Sequence, residues 1–278
     1  MLALTDLIIK LVVNNMLDLI NVSKTFYAGT VNERKALNSI NLHLDPGDFV
    51  TIIGSNGAGK SSVFNAIAGA FYIDSGAILL DNKNISMMAD YKRAYDIGRL
   101  MQDPMKGTAP SLTIEENLAL AYSRKAHKSL FALNKRDSEY FRELLTRLDL
   151  GLESRMKTKV GNLSGGQRQA VTLLMCTISL PKLLLLDEHT AALDPATALK
   201  ILKITTDIVA ESRITTMMIT HDIKDALALG NRTIMMDEGE IILDIKGEER
   251  SKMTIEELLT YYSRERKKQL TDDRILLA

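Results

Sequence analysis

The segment Gly54-Ser55-Asn56-Gly57-Ala58-Gly59-Lys60-Ser61 satisfies G-x-x-x-x-G-K-[ST], a pattern whose chemistry is the cradling of phosphates. Glycines let the backbone wrap closely, its N–H groups face inward, and the helix that follows turns its positive end toward the anion. In such a loop Lys60 bridges the β- and γ-phosphates of a nucleoside triphosphate, and the Ser61 hydroxyl ligates Mg²⁺. The flanks agree. Phe49–Ile53 reads as a buried strand running into the glycines, and Val63, Ala66, Ile67 and Ala70 recur at helical spacing after Lys60.

A second chemical feature is Leu183–Leu186 followed by Asp187-Glu188. This places two carboxylates at the C-terminal end of a central strand, where open α/β sheets bind ligands. Asp187 suits a water-mediated Mg²⁺ contact and Glu188 suits a general base that polarises water. Between the two features lies Leu163-Ser164-Gly165-Gly166-Gln167, a small-residue turn and helix N-cap that offers another set of outward N–H groups. Nothing within one chain requires this second anion site.

The elements that must hold these residues are legible in the patterning. Leu17–Val22 and Ile40–Leu44 alternate like half-buried strands, Asp45–Asp48 is a turn, and Ala77–Leu80 is a further strand. A polar stretch runs through Met87–Arg93. From Thr113 to Ser179 the chain is helical: Thr113-Ile-Glu-Glu116 is a capping box, and Phe141, Leu144, Leu145 and Leu148 form a one-face stripe. The unbroken apolar run Leu183–Leu186 predicts a strand buried on both faces of a parallel sheet. Thr215–Thr220 and Thr233–Met236 are strands, Asp237–Glu240 a hairpin turn into Ile241–Asp244, and Thr254–Glu257 caps a last helix. The sum is an α/β nucleotide-binding core, a mixed sheet flanked by helices, interrupted by a helical insert.

Composition sets the bounds. The 278 residues carry 35 Lys+Arg against 35 Asp+Glu, with 46% hydrophobic residues, which excludes disorder and any whole-chain attraction to nucleic acid. A single cysteine, Cys176, excludes an internal disulfide and a zinc cluster and fits a reducing compartment. Trp is absent and aromatics are 5%, which argues against a base-stacking platform. No uncharged apolar run reaches the ~18 residues of a membrane-spanning helix. Residues 1–15 lack a basic leader and a cleavage site and are expected to be an extension, with Met16 a possible translation start.

With these motifs in order, the sequence resembles the ATP-binding subunits of ABC transporters. Gly54–Ser62 looks like their Walker A, Leu163–Gln167 like their signature sequence and Leu183–Glu188 like their Walker B, over roughly Met16 to Leu259. The resemblance implies a P-loop NTPase core with an antiparallel β part. It also implies a domain spanning 16–262 with a helical subdomain at about 108–180, and a tail at 263–278. It assigns Gln102 as the Q-loop glutamine that senses Mg²⁺ and γ-phosphate, and His221 as the switch histidine at the γ-phosphate. Asp194 becomes the D-loop aspartate that couples two sites across a dimer, and Phe26, with Tyr27 as the alternative, the ring stacked on adenine.

The implied protein is an ATPase that uses ATP and Mg²⁺. Two copies would meet head to tail, so that Ser164, Gly165, Gly166 and Gln167 of one complete the ATP site at Gly54–Ser62 of the other. Separate transmembrane permease subunits would receive the motion, and an extracellular solute-binding protein would deliver a small organic solute for import. The chain would sit on the cytoplasmic face of the cell (inner) membrane through the permease, without nucleic acid. The competing reading is a soluble ABC ATPase acting on a macromolecular complex. A P-loop kinase or GTPase does not account for Leu163–Gln167. Three positions depart from the family's usual residues: Ser62 for threonine, Ala191 where the D-loop often has serine, and His189 where proline is commonest. A titratable ring at 189 would lie next to Glu188.

Overall fold

The structure, a computed structural model, describes residues 16–103, 105–126, 135–261 and 263. The extension expected at 1–15 and the tail from 264 onward lie outside the described residues. The strands are β1 (Leu17–Phe26), β2 (Arg34–Leu44), β3 (Phe49–Gly54), β4 (Ser75–Leu80), β5 (Lys83–Asn84), β6 (Ile97–Leu100), β7 (Leu183–Asp187), β8 (Thr215–Ile219), β9 (Arg232–Asp237) and β10 (Glu240–Lys246). The helices are α1 (Lys60–Ala68), α2 (Asp90–Arg93), α3 (Ile114–Ala126), α4 (Lys135–Thr146), α5 (Gly165–Thr177), α6 (Pro195–Ser212), α7 (Ile223–Ala228) and α8 (Gly247–Lys252). A last helical stretch covers 255–261.

Two sheets organise these elements. One is antiparallel in the order β2-β1-β4-β5; the other has six strands in the order β10-β9-β3-β8-β7-β6. In the second sheet β9, β3, β8, β7 and β6 all run parallel, and β10 folds back antiparallel on β9. The fold is therefore the mixed α/β architecture that the motifs imply, with the antiparallel part present as a separate sheet.

The apolar run of β7 has its explanation in two cores. Leu183 and Leu185 join the core that contains α1 and the antiparallel sheet. Leu184 and Leu186 join the core built with α3, α4, α5 and α6. A strand with alternate side chains in two apolar layers has no solvent face, so no polar alternation appears in its sequence. The stripe on α4 behaves as predicted, with Phe141 and Leu145 buried. The capping boxes also form: the Glu116 carboxylate accepts from Thr113 N at 2.7 Å and Glu257 from Thr254 N at 2.8 Å.

The polar stretch Met87–Arg93 contains a surprise. Arg93 is 2% exposed and lies across the C-terminal end of α1. Its Nη1 donates to the Ala66 and Ile67 carbonyls at 2.7 and 2.9 Å, Nη2 to Ser86 O at 2.9 Å and Nε to Met88 O at 2.8 Å. A helix end leaves carbonyls without intrahelical partners and carries partial negative charge, and a fixed guanidinium satisfies both. Sequence periodicity sees only a polar residue in a short helix. Among the described residues no helix is long and apolar enough to cross a membrane.

Arg93→Met keeps much of the volume but strands these carbonyls. It is expected to lower the unfolding free energy in urea by about 3 kcal/mol or more. Arg93→Lys should recover only part of that, because one ammonium cannot span the same acceptors.

Candidate active site

The phosphate loop, Gln102, Asp187, Glu188 and His221 stand at or just beyond the C-terminal ends of parallel strands. β3 delivers the phosphate loop, β8 delivers His221, β7 delivers Asp187 and Glu188, and β6 delivers Gln102. Neighbouring strands in the order β3-β8-β7-β6 put these groups side by side, although they span residues 54 to 221.

The phosphate loop passes unusually close to its surroundings. A Cβ on Gly54 would lie 2.2 Å from Met236 O, and one on Gly59, whose φ is +100°, would lie 2.7 Å from Ala36 O. Only glycine fits at either position. Lys60 turns back into the loop, and its Nζ donates to the Gly54 and Ser55 carbonyls, each at 2.9 Å. Burial lowers the Lys60 pKa, opposed by the nearby Glu188 and Asp187 carboxylates. Ser62 follows on α1 and is half-buried.

Gln102, Glu188 and His221 meet at one carboxylate. Gln102 Nε2 donates to Glu188 Oε2 at 3.1 Å, and His221 Nε2 lies 2.6 Å from Glu188 Oε1. Glu188 has φ +48°, a left-handed conformation that turns the chain sharply off β7, and its N–H donates to Ile219 O at 3.1 Å. The Ser61 hydroxyl lies beside Asp187 and favours its charged form. The Asp187 pKa is raised by burial and pulled back chiefly by Arg99, whose Nη2 lies 3.8 Å from Asp187 Oδ2. Ser61 and Asp187 thus form an adjacent pair of hard oxygen donors, the set that suits Mg²⁺ when phosphate oxygens complete the shell.

The signature segment is well formed but stands apart. Ser164 caps α5, with Gln167 N donating to Ser164 Oγ and Ser164 N to Gln167 Oε1, each at 3.3 Å. The start of α5 packs on the start of α6: a Cβ on Gly166 would meet Thr197 Cγ2 at 2.2 Å. Asp194 caps α6, accepting from Thr197 N at 3.0 Å, and the Thr197 hydroxyl together with that amide lowers its pKa. Among the described residues no hydrogen bond or ion pair joins Ser164–Gln167 to Gly54–Ser62 of the same chain. Phe26 packs edge-on against Phe71 with centroids 5.2 Å apart, whereas Tyr27 is 73% exposed. Phe26 pairs across β1–β2 with Arg34, whose Nη2 donates to Gly57 O at 2.8 Å, so the aromatic pair stands near the loop.

His189 does not add a charge beside Glu188. It is 3% exposed, and its Nε2 meets Thr205 Oγ1 at 3.2 Å. Thr205 donates its own hydroxyl to Ile201 O at 2.8 Å, so the imidazole is the donor in the contact. Burial lowers its pKa to about 4. Arg34, Arg99 and Asp237 touch the site and were not singled out from the sequence. Arg34 starts β2, Asp237 ends β9 and Arg99 lies within β6, positions that are informative only once strand order is known.

Phosphate binding beside a paired carboxylate, on the C-terminal edge of a parallel sheet, is the arrangement of a phosphate-loop nucleoside triphosphatase. The ABC transporter family matches residues 37–191. The "Tyrosine transport ATP-binding protein" of Clostridioides difficile (strain R20291) is 42% identical over 88% of this chain and 97% of its own length. The "Aliphatic sulfonates import ATP-binding protein SsuB" of Albidiferax ferrireducens is 32% identical over 81% of this chain and 72% of its own. Among solved structures, a dimeric ATP-binding cassette in a post-hydrolysis state with ADP and Pi superposes with a TM-score of 0.73 at 31% identity, covering 83% of this chain and 98% of that one. This chain belongs to the ABC transporter family, as an ATP-binding subunit that hydrolyses ATP.

The histidine at 189 generates a pH prediction. Its folded pKa of about 4 lies below its ordinary 6.5, so the unfolded chain binds the proton more readily. The associated stability is complete above pH 6.5 and is lost as pH falls toward 4. The loss amounts to at most about 3 kcal/mol. Urea titrations across that range should show a steeper decline for wild type than for His189→Gln, while the pH profile of hydrolysis between 7 and 9 stays unchanged by the substitution.

Proposed function

We propose that the chain energises an importer of a small organic solute by closing a two-site dimer around ATP and reopening it on hydrolysis. The observation that carries this reading is the convergence of Gln102 and His221 on the Glu188 carboxylate. Two polar groups from different strands flank the one group placed to deprotonate a water, so both the water and a terminal phosphate would be read together.

In this mechanism the amides of Gly54–Gly59 and the Lys60 ammonium hold the β- and γ-phosphates, and the Phe26–Tyr27 end of β1 takes the base. Ser61, Asp187 and Gln102 would hold Mg²⁺, which would neutralise charge on the phosphate oxygens. Water attacks the γ-phosphorus, Glu188 accepts its proton, and the bond from phosphorus to the bridging β–γ oxygen breaks, leaving ADP and inorganic phosphate. His221 and Gln102 orient the attacked group and the water. The signature helix, unlinked to its own phosphate loop, supports completion of the site by Ser164–Gln167 of a second copy, with Asp194 at the crossing.

Domain and partner assignments follow. Residues 16–262 act as one ATPase domain with a helical subdomain at about 108–180. Arg168 joins the subdomain's signature helix to the segment after Gln102: it donates to the Gly161 and Leu163 carbonyls at 3.1 and 3.0 Å and reaches Met105 Sδ at 2.8 Å. That link supports transmission of motion from Gln102 to separate permease subunits. The relative named for sulfonate import supports import and the one named for tyrosine transport supports a small organic solute; a solute-binding protein outside and a place for this chain on the cytoplasmic face of the membrane complete the proposal.

Glu188→Gln tests the scheme. With Mg-ATP the variant should form a stable dimer by light scattering, while wild type cycles back to monomer, and its turnover should fall at least about a hundredfold. A variant that stays monomeric with ATP, both alone and with membranes, would reject the composite site.

A further inference from the structure

The phosphate loop is held from outside at three points. Arg34 takes the Gly57 carbonyl, Gly239 N donates to Ala58 O at 3.0 Å, and Ser55 Oγ donates to Asp237 Oδ1 at 2.9 Å. Asp237 ends β9, the fifth strand of the parallel set, and is only 4% exposed. Strand register places it there, because Gly54 pairs with Met236, so the next residue of each strand, Ser55 and Asp237, come together.

A buried carboxylate next to a site for a polyanion is electrostatically unfavourable. Its value must then be geometric. Ser55 is the pivot of the loop: its side chain is fixed by Asp237, and its carbonyl, with that of Gly54, fixes Lys60 Nζ. The turn at 237–240 adds the Ala58 contact, and a Cβ on Gly59 would approach Gly239 Cα to 3.2 Å, so the turn is a template pressed against the back of the loop.

We propose that Asp237 is a positioning residue for nucleotide binding, which orders Ser55 and, through the Ser55 backbone, the ammonium of Lys60 before ATP arrives. It acts through Ser55 and does not touch the nucleotide. The proposal rests on Gly54–Ser61 being the nucleotide loop.

The test is a double-mutant cycle in the full chain with Asp237→Ala, Ser55→Ala and their combination, reading ADP and ATP affinity by calorimetry and hydrolysis by steady-state kinetics. Each single substitution should weaken nucleotide binding about tenfold, the loss of one hydrogen bond to a charged group. The double variant should match the weaker single within about twofold, because both remove the same contact. KM for ATP should rise while kcat changes less than about threefold, and Asp237→Asn, which can still accept the bond, should restore most of the affinity. If Asp237→Ala fails to fold, Asp237→Asn and Ser55→Ala carry the comparison, with Ser55→Ala still expected to raise KM and leave kcat. Multiplying losses in the double variant, or a fall in kcat at unchanged KM, would overturn the proposal. Lys60→Ala separates the two levels: unchanged affinity there would show the loop itself to be misassigned, whereas lost affinity there with no effect of Asp237→Ala would reject Asp237 alone.

Discussion

Parallel pairing of β9, β3, β8, β7 and β6 brings five strand ends to one edge of the sheet, and the chemistry of this protein is a consequence of that pairing. Register is continuous across the set: Gly54 faces Met236, Ile52 faces Ile219, and Leu186 faces both Met218 and Leu100. The residues one or two positions past these pairs are Ser55, Asp237, His221, Glu188 and Gln102. No loop has to be long or unusual to assemble them. A shift of one residue in any strand would turn its alternating side chains to the wrong core and misplace its terminal polar group at the same time. Packing and the placement of these polar groups are therefore specified by the same hydrogen-bond ladder.

The two apolar cores give the site its two sides. One lies under α1 and the antiparallel sheet and backs the phosphate loop. The other, with α3 to α6, carries the signature helix. β7 is shared by both, and it ends in the carboxylate pair. Arg93 closes the far end of α1 and Arg168 closes the segment before α5, so an arginine anchors a helix terminus on each side. At Arg93 the backbone carbonyls that would otherwise face an apolar core are satisfied by a group that cannot lose its charge at physiological pH.

Much of this was readable in the chain because the signals are local. The Gly54–Ser61 pattern, the Leu183–Leu186 run and the Thr113 and Thr254 capping boxes depend on neighbours a few residues away, and each stands where its pattern placed it. What escaped depends on distant partners. Arg93 looks like any polar residue of a short helix until α1 is laid against it, and the short strand β6 carries an arginine that interrupts its apolar character. Asp237 read as the first residue of a turn because its neighbour Ser55 is 182 residues away. His189 read as a titratable group because burial under α6 leaves no trace in local sequence. Pairwise order in a sheet is a property of the whole chain, and functional polar groups at strand ends inherit that opacity.

Glu188 sits at φ +48°, in a region that tolerates Asn, Asp and Gly but resists β-branched side chains. The backbone at this corner therefore discriminates among substitutions by shape and is indifferent to whether a carboxylate is present. A chain that lost the acid by drift to asparagine would keep its sheet, its loop and its capacity to hold nucleotide. On the proposed role of Glu188 as general base, catalytic silence is a short evolutionary step from this fold, open to either member of a pair of duplicated copies without loss of the folded protein.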